Sequence, residues 1–118
     1  MNRVIDLDDA ACVLAAMRAS WTDGRMRFGP TTWRDERDEF AEGPFEERRS
    51  PVADPFSLGV QLFGPDGDQV GGVVLFRGGW ADVWVLADGR IEDASVDVAT
   101  VGEVRVLLEN LIGTLARS

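Results

Sequence analysis

Apolar side chains recur at helical spacing near the start of the chain: Leu7, Ala10, Ala11, Leu14 and Met17 fall on one stripe of a 3.6-residue repeat. The pattern predicts a helix capped by Asp6, with Asp8 and Asp9 in the first turn, where the helix dipole favours negative charge. Arg18 sits near the far end, and the helix should stop at Ala19 or Ser20, ahead of Thr22-Asp23-Gly24. Residues 25–28 alternate charged and apolar, which predicts a short strand with Met26 and Phe28 inward, ended by Gly29-Pro30. Thr32-Trp33-Arg34-Asp35 then reads as a helix cap with an acid three residues on. The stretch to Glu42 is rich in helix formers and Gly43-Pro44 is a stop signal; a short helix and a flexible acidic loop fit it equally. Between 42 and 55, Gly43, Pro44, Pro51 and Pro55 break any periodicity, so an irregular segment is expected.

The second half changes to a period of two. Leu58, Val60 and Leu62 interleave with Gly59, Gln61 and Phe63, and strands over 70–76, 80–86 and 90–98 follow between glycine-rich turns. Asp66-Gly67 suits a tight hairpin, and Gly71-Gly72 inside a strand signals a bulge or a close backbone approach. Such short connections make neighbouring strands antiparallel. The chain closes with a capping box, Thr100-Val101-Gly102-Glu103, leading into the stripe Val101, Val104, Leu107, Leu108, Leu111, Ile112 and Leu115. The fold class expected is α+β: an antiparallel β-meander sheet packed by an N-terminal and a C-terminal helix, in one domain over 1–118.

Composition narrows the function. With 118 residues, 45% of them apolar, the chain has enough material for one core. No apolar run approaches the ~20 residues that cross a bilayer. The first residues lack the apolar segment of a signal peptide, so a cytoplasmic location is expected. Cys12 is the only cysteine; an internal disulfide is excluded, and its apolar neighbours suggest a small buried hydrophobe. The net charge of −9 opposes binding to nucleic acid, whose phosphates need a basic surface, and to anionic membranes. It favours a basic partner through encounter rate and complementarity, although solubility alone would also account for it. All 12 basic residues are arginine, which with abundant Ala, Gly, Val and Asp suggests a GC-rich bacterial genome.

The chain has no histidine, lysine or tyrosine. That excludes Ser-His-Asp and Cys-His nucleophilic sites, Schiff-base chemistry, the P-loop and phenolic acids. Asp6-Leu7-Asp8-Asp9 is explained by helix capping, and Asp66-Gly67-Asp68 by a hairpin turn, since the calcium-loop spacing is missing. Paired carboxylates of a hydrolase remain open by residue type, without a motif behind them. The expectation is a non-enzyme with no metal and no cofactor.

Two features suit protein binding. In the strand through Trp80, alternation places Trp80, Asp82, Trp84 and Leu86 on one face and Ala81, Val83, Val85 and Ala87 on the other. If the small residues meet the last helix, Asp82 and Trp84 form a patch opposite it, unless other parts of the chain cover them. The second feature is the stretch 34–49, with seven acids, four arginines, Phe40 and Phe45. Asp35, Glu36, Glu39, Phe40 and Glu42 make an acid-aromatic segment able to block a basic site; a solvated, self-paired charged surface is the other reading.

Gly79-Trp80-Ala81-Asp82-Val83-Trp84-Val85-Leu86, then Asp88-Gly89-Arg90-Ile91, then Val101-Gly102-Glu103-Val104 running into Leu107, Leu108 and Leu111, resembles the tail of small actinobacterial immunity proteins. The resemblance covers the C-terminal pattern alone. It implies a cytoplasmic inhibitor that neutralises a cognate polymorphic toxin by occluding its active or binding surface, with the toxin domain as partner. The alternative is a secretion-chaperone-like binding protein, for which a homodimer would be expected.

Overall fold

The computed structural model describes residues 4–20, 26–36, 46–87 and 89–116. Asp6 opens the first helix, α1 (Leu7–Ser20): its carboxylate Oδ1 accepts the backbone N–H groups of Asp8 (2.9 Å) and Asp9 (3.2 Å). Two of the first-turn donors that a helix leaves without partners are satisfied this way. Leu7, Ala10, Leu14 and Met17 are buried, as their spacing requires. Cys12 is exposed, against the expectation of a buried hydrophobe. Its neighbours are apolar, but position 12 lies about 200° around the helix from Ala10, off the buried stripe.

The next element departs from the sequence pattern. β1 (Arg27–Asp35) runs straight through Gly29-Pro30, and Thr32-Trp33-Arg34-Asp35 lies within it rather than capping a helix. The register slips between Phe28 and Thr31, a bulge that absorbs the two residues. β1 is also an edge strand, and its proline sits at the bulge, where the ladder is already interrupted. Residues 37–42 of the expected short helix fall outside the described residues.

β2 (Pro55–Phe63), β3 (Gln69–Phe76), β4 (Trp80–Ala87) and β5 (Arg90–Asp97) continue the meander, and the sheet order is β1-β2-β3-β4-β5 with every neighbour antiparallel. The four expected strands are present and the early strand joins them as a fifth. Gly67, Gly79 and Gly89 hold the hairpin turns after β2, β3 and β4 at φ of 84°, 99° and 76°.

Cross-strand partners share a face, and one face carries the core: Trp33 opposite Leu58, Leu58 opposite Leu75, Val60 opposite Val73, Leu75 opposite Ala81. α1 and α2 (Val101–Ala116) lie together on this face. Val104, Leu108, Leu111 and Ile112 of α2 are buried there, each worth roughly 1.5–3 kcal/mol of transferred apolar surface. The capping box of α2 is made: Thr100 Oγ1 accepts the Glu103 N–H (3.1 Å), and Glu103 Oε2 accepts the Ala99 N–H (3.2 Å), one residue earlier than the usual partner. Among the described residues, no helix is long and apolar enough to cross a membrane.

Candidate functional site

With α1 and α2 on one face, no helix among the described residues lies on the opposite face of the sheet, and the alternation of β4 decides what it presents. Ala81 is buried and Val83 and Val85 pack against the core, so Trp80, Asp82, Trp84 and Leu86 point the other way. Register places Asp97 beside Trp80, Ser95 beside Asp82, Asp93 beside Trp84 and Ile91 beside Leu86. Asp82 is exposed and accepts a 2.6 Å hydrogen bond from the Ser95 hydroxyl. Trp84 lies across Gly72 of the next strand; a Cβ on Gly72 would stand 2.5 Å from the indole Nε1. The close approach signalled by Gly71-Gly72 is thus a seat for Trp84. Trp80 stacks on Phe76 at 4.8 Å, and Phe76 meets Phe56 edge-on at 5.7 Å.

β5 completes the patch. All eight of its residues are exposed, on both faces of the strand, and Ile91 reaches 68%. A shallow cavity of about 320 Å³ runs between β4 and β5, lined by Asp82, Val83, Asp93, Ala94 and Ser95. The face is electrostatically graded. Asp82, Asp93 and Asp97 occupy the β4–β5 side, whereas Arg27 and Arg34 stand on β1, Arg27 over the Phe63 ring at 5.4 Å.

The acid-aromatic segment does not reach this patch through its described members. Asp35 is buried, and its Oδ2 accepts the Ala53 N–H at 2.8 Å. Glu36 donates its N–H to the Asp54 carbonyl (2.9 Å), and its carboxylate forms an ion pair with Arg77. Both side chains thus fasten the end of β1 through partners within the chain. Glu39, Phe40 and Glu42 lie outside the described residues.

Arg77 is the residue sequence reasoning overlooked. Its side chain is 6% exposed and binds both Glu36 and Asp54 Oδ1 (2.8 Å). Its carbonyl accepts the N–H groups of Val4 (2.8 Å) and Ile5 (3.2 Å). A lone arginine ending an apolar strand before Gly78-Gly79 was the available signal. Arg49 clamps nearby: it donates to Asp8 through Nε (2.7 Å) and Nη2 (3.2 Å), to the Val52 carbonyl through Nη1, and covers the Trp33 ring at 5.3 Å. The hydrogen bond and the charge of Arg49 hold the Asp8 carboxyl below its ordinary range, and Asp8 raises Arg49 in return. A cavity of about 420 Å³ opens between these two arginines, bordered by Asp6, Asp8, Ala53 and Pro55. Each guanidinium beside it is already held by carboxylates. Among the described residues, no group of three metal-ligating side chains could hold a metal ion.

Set against protein-family models, curated proteins and solved structures, the chain matches none.

Proposed function

We propose that this chain is a protein-binding module, and within that class an immunity protein that neutralises a toxin by covering its active or binding surface. The observation that supports the reading is the face of β4 and β5 turned away from α1 and α2. Tryptophan, apolar and carboxylate side chains stand there together, opposite the helices and outside the core. Aromatic anchors beside acids suit a basic protein surface better than a small molecule, because the cavity between the strands is shallow and open. Lacking histidine, lysine and tyrosine, the chain works by occlusion rather than turnover. Asp82 and Trp84 carry the contact, joined by Asp93 and Asp97; Asp35 and Glu36 support the fold instead.

Co-expression tests this reading. The chain should restore growth to cells making the toxin domain encoded beside its own gene, and the two should co-purify as a complex. Asp82→Arg and Trp84→Ala should lose rescue while remaining folded. Absence of any complex, with the isolated protein turning over a small molecule, would overturn it. A stable homodimer without affinity for the toxin would point instead to the secretion-chaperone-like alternative.

A further inference from the structure

We propose that the outer edge of β5 is a strand-addition site for an extended, arginine- or lysine-bearing segment of the partner protein; the proposal rests on the protein-binding reading and gives it a location and a bonding mode. Ala87 pairs with Arg90 across a two-residue loop, and beyond the far end of the hairpin Val98 donates its N–H to the Gly79 carbonyl at 2.9 Å. Both contacts turn the even-numbered residues of β5 toward β4. Ile91, Asp93, Ser95 and Asp97 therefore direct their N–H and C=O groups outward, and among the described residues no strand pairs with them. The pairing with β4 is unbroken by any bulge, and the strand contains no proline. A long, exposed, unbulged edge of this kind is a template for another strand.

Side chains choose the occupant. The outward-bonding residues put Asp93 and Asp97 on the same face as Asp82 and Trp84, while Glu92 stands on the other face with Ala94 and the half-exposed Val96. A strand laid along this edge meets carboxylates on both faces and the apolar Ile91 near the hairpin, so cationic side chains spaced by apolar ones complement it. A second copy of the chain does not. Two β5 edges brought together would gather Glu92, Asp93 and Asp97 from each. The other edge of the sheet is obstructed by Glu46, which bonds to Trp33 through both backbone groups (2.7 and 3.2 Å).

The probe is a short end-capped peptide alternating arginine with valine, added to isotope-labelled protein and followed by amide NMR and hydrogen exchange. The amides of Ile91, Asp93, Ser95 and Asp97 should shift and slow in exchange, with little change at Glu92, Ala94 and Val96. Methylating alternate peptide nitrogens, or making Ser95→Pro, removes backbone bonds without removing charge and should weaken binding by about tenfold. A glutamate-for-arginine peptide should not bind. Equal binding of the methylated peptide would show charge attraction without strand addition, and shifts confined to other strands would place the contact elsewhere. Failure of every peptide would mean that the acids only keep the edge unpaired. Each of these three results overturns the proposal. Toxin rescue that survives Ser95→Pro would sink strand addition yet leave occlusion standing; peptide binding along β5 by a chain that gives no toxin rescue would sink the toxin reading and leave strand addition standing.

Discussion

At one margin of the sheet, β1 is bulged at Gly29-Pro30, bridged at Trp33 by Glu46 and locked at its end by Asp35, Glu36 and Arg77; at the other, β5 runs unbroken with every residue exposed. The charges at the two margins are used differently. Beside β1, carboxylates are consumed in ion pairs and backbone bonds. On β5, Asp93 and Asp97 stand beside tryptophans on the face opposite α1 and α2. Equal acidity along a sequence therefore conceals two physical roles, and partner binding is expected where the acids are not already spent.

The largest effects should separate the interior from the open margin. Leu58→Ala removes a fully buried side chain shared by β2 and the core and should cost about 2–5 kcal/mol. Ile91→Ala on β5, a deletion of similar size, should stay within about 0.5 kcal/mol, since 68% of that residue already faces water. Urea denaturation of the two variants gives both numbers. Comparable losses would mean that β5 is covered in solution.

Next in size is the clamp at the closed margin. Arg77→Met leaves Glu36 and Asp54 without their cation, yet these carboxylates are 36% and 39% exposed and water can take over. The expected loss is about 2 kcal/mol, below the 3–5 kcal/mol of fully buried pairs. Hydrogen exchange should localise the loosening to the end of β1 and the segment around Asp54, with β4 and β5 amides unchanged.

Much of this architecture was legible because periodicity survives folding. The stripes of both helices, the caps at Asp6 and Thr100, and the alternation of Ala81, Val83 and Val85 against Trp80, Asp82 and Trp84 each describe a local choice that packing then used. What could not be read was long-range. Gly29-Pro30 signals a stop, and only a bulge at the sheet edge lets the strand continue. Asp35 and Glu36 carry the same side chains as a solvated acidic surface; Ala53, Asp54 and Arg77, distant in sequence, make them structural. Cys12 sits among apolar neighbours whose helical phase it does not share. On the candidate site, Asp82 and Trp84 were visible from alternation alone, whereas Asp93 and Asp97 needed the hairpin register to bring them alongside.

A smaller change tests whether Trp84 is held in place for contact. Gly72→Ala puts a methyl group into the indole, so Trp84 must swing away at a cost of about 1–2 kcal/mol. Its fluorescence should shift red as the ring gains water, and toxin binding should weaken although no residue of the patch has been altered. Unchanged emission would show that the strand yields instead of the ring.

The smallest expected effect concerns the ion pair that ties the segment beside β1 to α1. Arg49 donates two hydrogen bonds to Asp8, and these, helped by its charge, lower the Asp8 pKa below the ordinary 3.8 against the opposing effect of burial. A carboxyl whose pKa is lower folded than unfolded stabilises the fold above the unfolded value, and that contribution disappears as pH falls through the lowered one. Asp8→Asn should therefore be less stable than the parent at neutral pH, and the gap should close in the acid range below about pH 4. The Asp8 side chain is 55% exposed, so screening keeps the difference under about 1 kcal/mol. Urea midpoints at neutral and acid pH, repeated at high salt, measure it. Glu46 is also lowered, chiefly by the Arg48 backbone N–H, and makes the parent acid-sensitive in the same direction; comparing parent with variant isolates Asp8. A gap that persists in acid would assign the effect to contacts that do not depend on the Asp8 charge, and would leave Arg49 anchored by Val52 and Trp33 alone.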